Sequence, residues 1–175
     1  MRKLRTDELN RLNVEDFRKA EKTPVAMILD NVRSLLNVGS LFRTADAFRL
    51  EKIYLCGLTP VPNKEMNKTA LGATDSMEWE FHDSTVRVIQ NLKQGGYFIL
   101  GVEQTDTSIA LEQFTQYEYP IAFVLGHEVK GVSKEALDLC DQIIEIPQIG
   151  TKHSLNVSVS GGIIAWELFK NNQKV

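Results

Sequence analysis

The sequence predicts an α/β domain with a mostly parallel sheet flanked by helices, and three observations carry that prediction. Short runs rich in β-branched and other apolar residues recur at 25–29, 52–56, 97–102, 121–125 and 142–146. Segments with helical spacing lie between them, the alternation that a parallel sheet with crossover helices requires. No Ser/Gly/Pro-rich linker, low-complexity tract or internal repeat divides the 175 residues, so one hydrophobic core is expected.

Taken in order, residues 6–22 set Leu9, Leu12 and Phe17 among charges, which reads as an amphipathic helix. This gives an N-terminal helical extension, 1–23, leading into a domain of 24–175. Further helices are expected at 38–48, 85–94, 134–139 and 156–170. The stretch 59–64, Thr-Pro-Val-Pro-Asn-Lys, reads as the most irregular loop, and 68–73 after it as a mobile or ligand-facing segment.

Composition bounds the function classes. An apolar share of 43% and a charged share of 25% are ordinary for a globular chain, which argues against a disordered, fibrous or membrane class. The formal charge of −3 argues against a protein that holds nucleic acid by a broad basic face, so any such site must be local. Residues 1–24 hold seven basic and five acidic side chains, a weak asymmetry that a solvated helix explains equally well. Cys56 and Cys140 are far apart in apolar contexts and read as reduced core thiols. The N-terminus begins with charge rather than an apolar leader, and the uncharged stretch 154–166 is too short and polar to span a bilayer, so a cytoplasmic location is expected.

In such sheets, ligands bind beyond the carboxyl ends of the strands, and three segments there are chemically unusual. After the first run, Asn37-Val-Gly39-Ser-Leu-Phe-Arg43 places an arginine about a turn and a half beyond an asparagine that can cap a helix. A plain helix cap with a surface arginine is the bland reading. After the fourth run, Gly126-His-Glu128-Val-Lys-Gly131-Val-Ser nearly matches a phosphate-cradling loop, but Val132 stands where lysine is needed and Glu128 faces the wrong charge. That loop suits an adenosine ligand without phosphates, such as S-adenosylmethionine, whose sulfonium is cationic; a tight turn before a helix fits as well. The third segment, Ile146-Pro147 through Ser154-Leu155-Asn156-Val-Ser158, closes a strand and opens a helix whose first turns are small and hydroxylic, with Ser154 as the expected cap. No Gly-x-Gly-x-x-Gly or Gly-x-Ser-x-Gly motif occurs, and His82, His127 and His153 lack zinc-ligand spacing, so no metal is expected.

Together, in this order and spacing, the three segments resemble the motifs of the SpoU/TrmH family of the SPOUT superfamily, known for methylating RNA riboses at the 2′-oxygen. The resemblance runs from about residue 24 to 169. It implies a deep C-terminal trefoil knot, which no periodicity could have revealed. It implies S-adenosylmethionine as cofactor, contacted mainly through backbone at Glu103, Gly126, Ile146, Ser154 and Leu155. It also implies structured RNA, tRNA or rRNA, as partner, and a homodimer to which the helix 156–170 contributes.

On the same resemblance, Arg43 is the catalytic candidate. A guanidinium stays protonated, so its expected role is to stabilise negative charge developing on the ribose oxygen. Asn37 and Asn156 are expected to position Arg43 and the substrate, Glu128 to hold Arg43 or the loop, and Ser154 to add a hydrogen bond. Arg33, Arg49, Lys64, Lys68 and the basic N-terminal helix are candidate RNA contacts. Two other functions stay open at this point: a non-catalytic RNA-binding protein on the same scaffold, and a methyltransferase acting on a base.

Overall fold

The structure is a computed structural model describing residues 1–173, so the last two residues of the expected domain lie outside the described residues. A 3-10 turn at Thr6–Leu9 and helix α1 (Val14–Lys19) precede strand β1 (Thr23–Asp30). There follow α2 (Leu35–Ala47), β2 (Leu50–Cys56), α3 (Lys64–Ala70), α4 (Ala73–Ser76), β3 (Trp79–His82), α5 (Thr85–Gln94), β4 (Phe98–Val102) and β5 (Ile109–Ala110). The chain ends through β6 (Ile121–Gly126), α6 (Lys134–Leu137), β7 (Gln142–Glu145) and α7 (Val157–Asn172). Seven strands make one parallel sheet in the order β3-β2-β1-β6-β4-β7-β5.

The central strands are apolar along nearly their whole length because both faces are covered. Every residue of β6 is buried, and so is all but one of β1. Met27, Leu29, Phe123 and Leu125 meet α2 and α7 on one face; Ile28 and Val124 meet Val88, Ile89 and Ala136 of α5 and α6 on the other. In register, Asp30 sits opposite Cys56 on one side and Gly126 on the other, so β1, β2 and β6 end level with one another.

The five expected strands and four expected helices are present, with corrections. The helix expected at 6–22 is broken. Asn10 adopts a left-handed conformation, and Asn13 starts a new helix by accepting the Asp16 N–H at 2.9 Å. Leu9 and Leu12 are exposed and Phe17 alone of the three is buried, so their spacing never becomes a packed face. The segment 68–73, expected to be mobile or ligand-facing, is the end of α3 and the start of α4. Asn63 caps α3 by accepting the N–H groups of Glu65 and Met66, each at 2.9 Å. Met66 and Ala70 are buried against α2, where Gly39 permits the approach: a Cβ there would stand 2.9 Å from the Met66 carbonyl oxygen.

Two strands were not expected. β3 alternates the apolar Trp79 and Phe81 with the polar Glu80 and His82 and pairs with β2 at the sheet edge, while β5 is two residues long. Two caps also move. Ser34, not Asn37, caps α2 by accepting the Asn37 N–H, and Asn156, not Ser154, caps α7 by accepting the Ser158 N–H. Strand β7 stops at Glu145, one residue before Ile146.

Candidate functional site

Because the strands are parallel, the segments leaving β4, β6 and β7 emerge at one edge of the sheet. They bound a cleft of about 750 Å³, within the usual size of a small-molecule site. Its lining includes Glu103 and Gln104 from after β4, Gly126 through Val132 from after β6, and Ile146 and Ser154 to Val157 from between β7 and α7. Gln104 Nε2 donates to the His153 carbonyl at 3.0 Å, tying the first of these segments to the third.

The loop after β6 is folded tightly on itself. His127 and Gly131 exchange backbone hydrogen bonds of 3.0 and 2.8 Å, and His127 Nδ1 accepts the Val129 N–H at 2.9 Å. Gly126 is required by contact: a Cβ there would lie 2.1 Å from both the Gly131 carbonyl carbon and the Val132 nitrogen. Gly131 is required by conformation as well, with φ +69° and a virtual Cβ 2.1 Å from Glu103 Oε2. Glu103 reaches under this turn: its Oε2 accepts the Val132 N–H at 2.9 Å and its Oε1 the Gln104 N–H at 3.0 Å.

Glu128 turns away from that hairpin toward α2. Its carboxylate accepts Asn37 Nδ2 at 3.0 Å and the backbone N–H groups of Ser34 and Arg33 at 2.9 and 3.1 Å. Burial works to raise its pKa, but hydrogen bonds from Asn37, Ser34, Arg33 and its own N–H outweigh burial and hold it at about 2. The start of α2 also favours a negative charge there. Asn156 Nδ2 then donates to Asn37 Oδ1 at 3.1 Å, while Asn156 Oδ1 accepts the Ser158 N–H and hydroxyl at 2.8 and 2.6 Å. A chain Glu128–Asn37–Asn156 thus joins the three segments singled out in the sequence.

Gly126, Glu128, Ile146, Ser154, Leu155, Asn156 and Glu103 all line the cleft. Arg43 does not. It lies on α2 six residues after Asn37, is exposed, and has no carboxylate within ion-pair distance among the described residues. Within one chain, therefore, Asn37 and Asn156 do not hold Arg43, and Glu128 holds the start of α2. Ser34 and Asp30 went unnoticed in the sequence. Asp30 is 2% exposed at the end of β1 and accepts the Ser133 N–H at 2.7 Å. An acid closing an otherwise apolar strand was the signal that could have drawn attention to it.

The cleft's chemistry selects among ligands. Glu103, Glu128 and Glu145 line it, and among the described lining residues Lys130 is the one side chain with a permanent positive charge. That set suits a cationic ligand and opposes a polyphosphate. Among the described residues, no group of three His, Cys, Asp or Glu side chains is arranged to hold a metal ion, and no helix is long and apolar enough to cross a membrane.

The sequence model of the SpoU rRNA Methylase family matches residues 24–166. The chain belongs to the SpoU rRNA Methylase family. Among the SpoU relatives, the 23S rRNA (guanosine-2′-O-)-methyltransferase RlmB of Nitrosomonas europaea is 31% identical over 167 residues, covering 92% of this chain and 62% of that protein. The tRNA (guanosine(18)-2′-O)-methyltransferase of Escherichia coli K12 is 30% identical over 152 residues, covering 85% and 64%. The chain thus spans less than two thirds of the length of these relatives. Of solved SpoU structures, the A. aeolicus TrmH/SpoU tRNA modifying enzyme superposes with a TM-score of 0.82 at 26% identity, covering 92% of this chain and 83% of that one. The methyltransferase AviRb from Streptomyces viridochromogenes, solved in complex with the cofactor AdoMet, gives 0.79 at 19% identity over 91% and 65%, a likeness of fold.

Proposed function

We propose that this protein transfers a methyl group from S-adenosylmethionine to a ribose 2′-hydroxyl of tRNA or rRNA. The observation that carries the reading is an acidic cleft lined by two of the three motifs, those after β6 and β7, with the first motif tied to both through the bonds of Asn37 to Glu128 and Asn156. The 2′-O-methyltransferases named among its relatives give the reaction its chemical identity.

S-adenosylmethionine, when bound, supplies an electrophilic methyl group on a sulfonium. Backbone groups at Gly126, Ile146, Ser154 and Leu155 hold the adenosine end, with Glu103 and Glu128 favouring the positive charge. Ser154, exposed at the cleft edge, offers a hydroxyl to cofactor or substrate. Asn37 and Asn156 order the rim where the ribose enters. Arg43 stabilises the negative charge that develops on the ribose oxygen as its proton passes to water or an RNA phosphate, since a guanidinium stays protonated and cannot be the base. Aligning the two reactants does much of the remaining work.

Arg43 reaches a cleft through a homodimer. The exposed apolar side chains Leu36 of α2 and Val159 and Trp166 of α7 form the surface for this contact, and a partner's α2 carries a second Arg43 to the site. The position of β7 between β4 and β5 supports the knot that the resemblance implies. Arg33, Lys130 and Lys152, all exposed, are local cations for RNA in a chain of net negative charge. We place the protein in the cytoplasm with its RNA.

The test is transfer of label from methyl-labelled S-adenosylmethionine to RNA from a strain lacking the gene, followed by alkaline hydrolysis. A ribose product leaves one alkali-resistant linkage at the labelled nucleotide. Label on a base with an unbroken ladder, or no label, overturns the reading.

A further inference from the structure

Two acidic side chains grip consecutive backbone amides of the loop that follows β6. Glu103 Oε2 accepts the Val132 N–H at 2.9 Å, and Asp30 Oδ2 accepts the Ser133 N–H at 2.7 Å. The sheet order explains the symmetry: β1 and β4 flank β6, Asp30 ends β1, and Glu103 follows the last residue of β4. The loop leaves the sheet between those two strands and is caught on its return by one acid from each side.

Asp30 is the buried member of the pair, 2% exposed, and it is not among the residues that line the cleft. Acids that deep are rare without compensation. No cation lies within ion-pair distance of Asp30 among the described residues. Its compensation is three donors: Thr85 Oγ1 at 2.6 Å and Asn31 Nδ2 at 2.9 Å on Oδ1, and Ser133 N–H on Oδ2. Two acceptor oxygens satisfy all three, whereas an amide would turn its own NH₂ either toward the Ser133 N–H or toward the Asn31 Nδ2 and the Thr85 hydroxyl together. An apolar side chain would fill the space without desolvation cost. What the carboxyl adds is a fixed position for Ser133.

That position matters because the loop has no slack. Its outgoing leg at Gly126 already touches its return leg at Gly131 and Val132, too closely for a single added carbon. A shift at Ser133 therefore moves the residues that line the cleft. We propose that Asp30, together with Glu103, is a positioning residue for the methyl-donor site, setting the shape of loop 126–133 from behind. The inference rests on the donor reading given above.

Isothermal titration of S-adenosylmethionine into the full chain tests it with three variants. Asp30→Asn replaces one acceptor oxygen by a donor. Ser133→Pro removes the N–H at the other end of the same bond, at a residue whose φ is already −61°. Val25→Ala cuts into the core at the opposite end of β1 and lowers stability without touching the loop. The expected result is that Asp30→Asn and Ser133→Pro each weaken Kd at least tenfold, with faster amide exchange at Val132, while Val25→Ala binds within twofold of the unaltered chain. If Asp30→Asn fails to fold, Ser133→Pro carries the test alone. Unaltered binding that both variants match within twofold overturns the inference and leaves the donor reading standing. Equal weakening by Val25→Ala overturns it as a mere stability effect, and no binding by the unaltered chain overturns both readings.

Discussion

Glu128 and Asn37 stand 91 residues apart in the chain, yet Asn37 Nδ2 donates to Glu128 Oε1 at 3.0 Å. This bond fastens the loop after β6 to the first turn of α2, and Asn156 extends it to the start of α7. The loop after β6, the first turn of α2 and the start of α7 are thereby fixed relative to one another by side chains as well as by the sheet beneath them.

Glu128→Gln should lower stability at neutral pH by about 1–2 kcal/mol, the loss of a charged acceptor discounted for partial solvent screening. The Glu128 pKa, held at about 2, lies below its ordinary value of 4.5. Its contribution is thus full above the ordinary value and disappears as pH falls through the depressed one. Urea unfolding of both proteins should show a gap that is constant near neutrality, begins to close below about pH 4.5 and is gone near pH 2.

Gly126→Ala should be among the most damaging single changes in the chain, because the added carbon would strike backbone at 2.1 Å on the return leg of the loop. A loss of about 3 kcal/mol or more is expected where backbone must move to accept it. Thermal unfolding and donor titration should both register the change.

Adjacent glycines of α7 should respond with opposite signs. A Cβ at Gly161 would lie 2.4 Å from Leu41 Cδ2 and 2.8 Å from Leu125 Cδ1, whereas nothing lies within 4 Å of one at Gly162. Gly161→Ala should cost about 1–3 kcal/mol by overpacking. Gly162→Ala, whose site is open within one chain, should stabilise the Trp166→Glu monomer by about 0.5–1 kcal/mol through helix propensity, read as a rise in urea midpoint.

Arg43→Ala should leave folding and S-adenosylmethionine affinity within twofold of the unaltered chain while abolishing methyl transfer, since the side chain is exposed and outside the cleft of its own chain. Trp166→Glu, half exposed on α7, should shift the protein from dimer to monomer in sedimentation and lose transfer in parallel.

Much of the fold was legible because the buried strands are continuous apolar runs that few other structures accommodate, as at 25–29 and 121–125. The helix at 85–94 was legible to the residue, its apolar face being regular. Half-polar β3 and two-residue β5 carry no such pattern, and only pairing with a neighbour makes them strands. Residues 64–76 look polar because the buried Met66 and Ala70 are scattered among polar residues, and the close approach of the α3 backbone to Gly39 is a contact no local window contains. At the site, residue types and spacing marked out the segments that hold Asn37, Gly126, Glu128 and Asn156, and the resemblance supplied their expected roles. They could not disclose that Glu128 faces the start of α2, that Arg43 is absent from the lining of its own chain's cleft, or that Asp30 stands behind the loop, because each depends on how distant segments pack.

Hydrogen exchange of the full chain with and without S-adenosylmethionine addresses the cleft itself. Slowed exchange confined to 103–105, 126–133 and 146–157 is the expected pattern. Protection that falls elsewhere, or none at saturating ligand, would contradict the assignment of this cleft as the seat of the methyl donor.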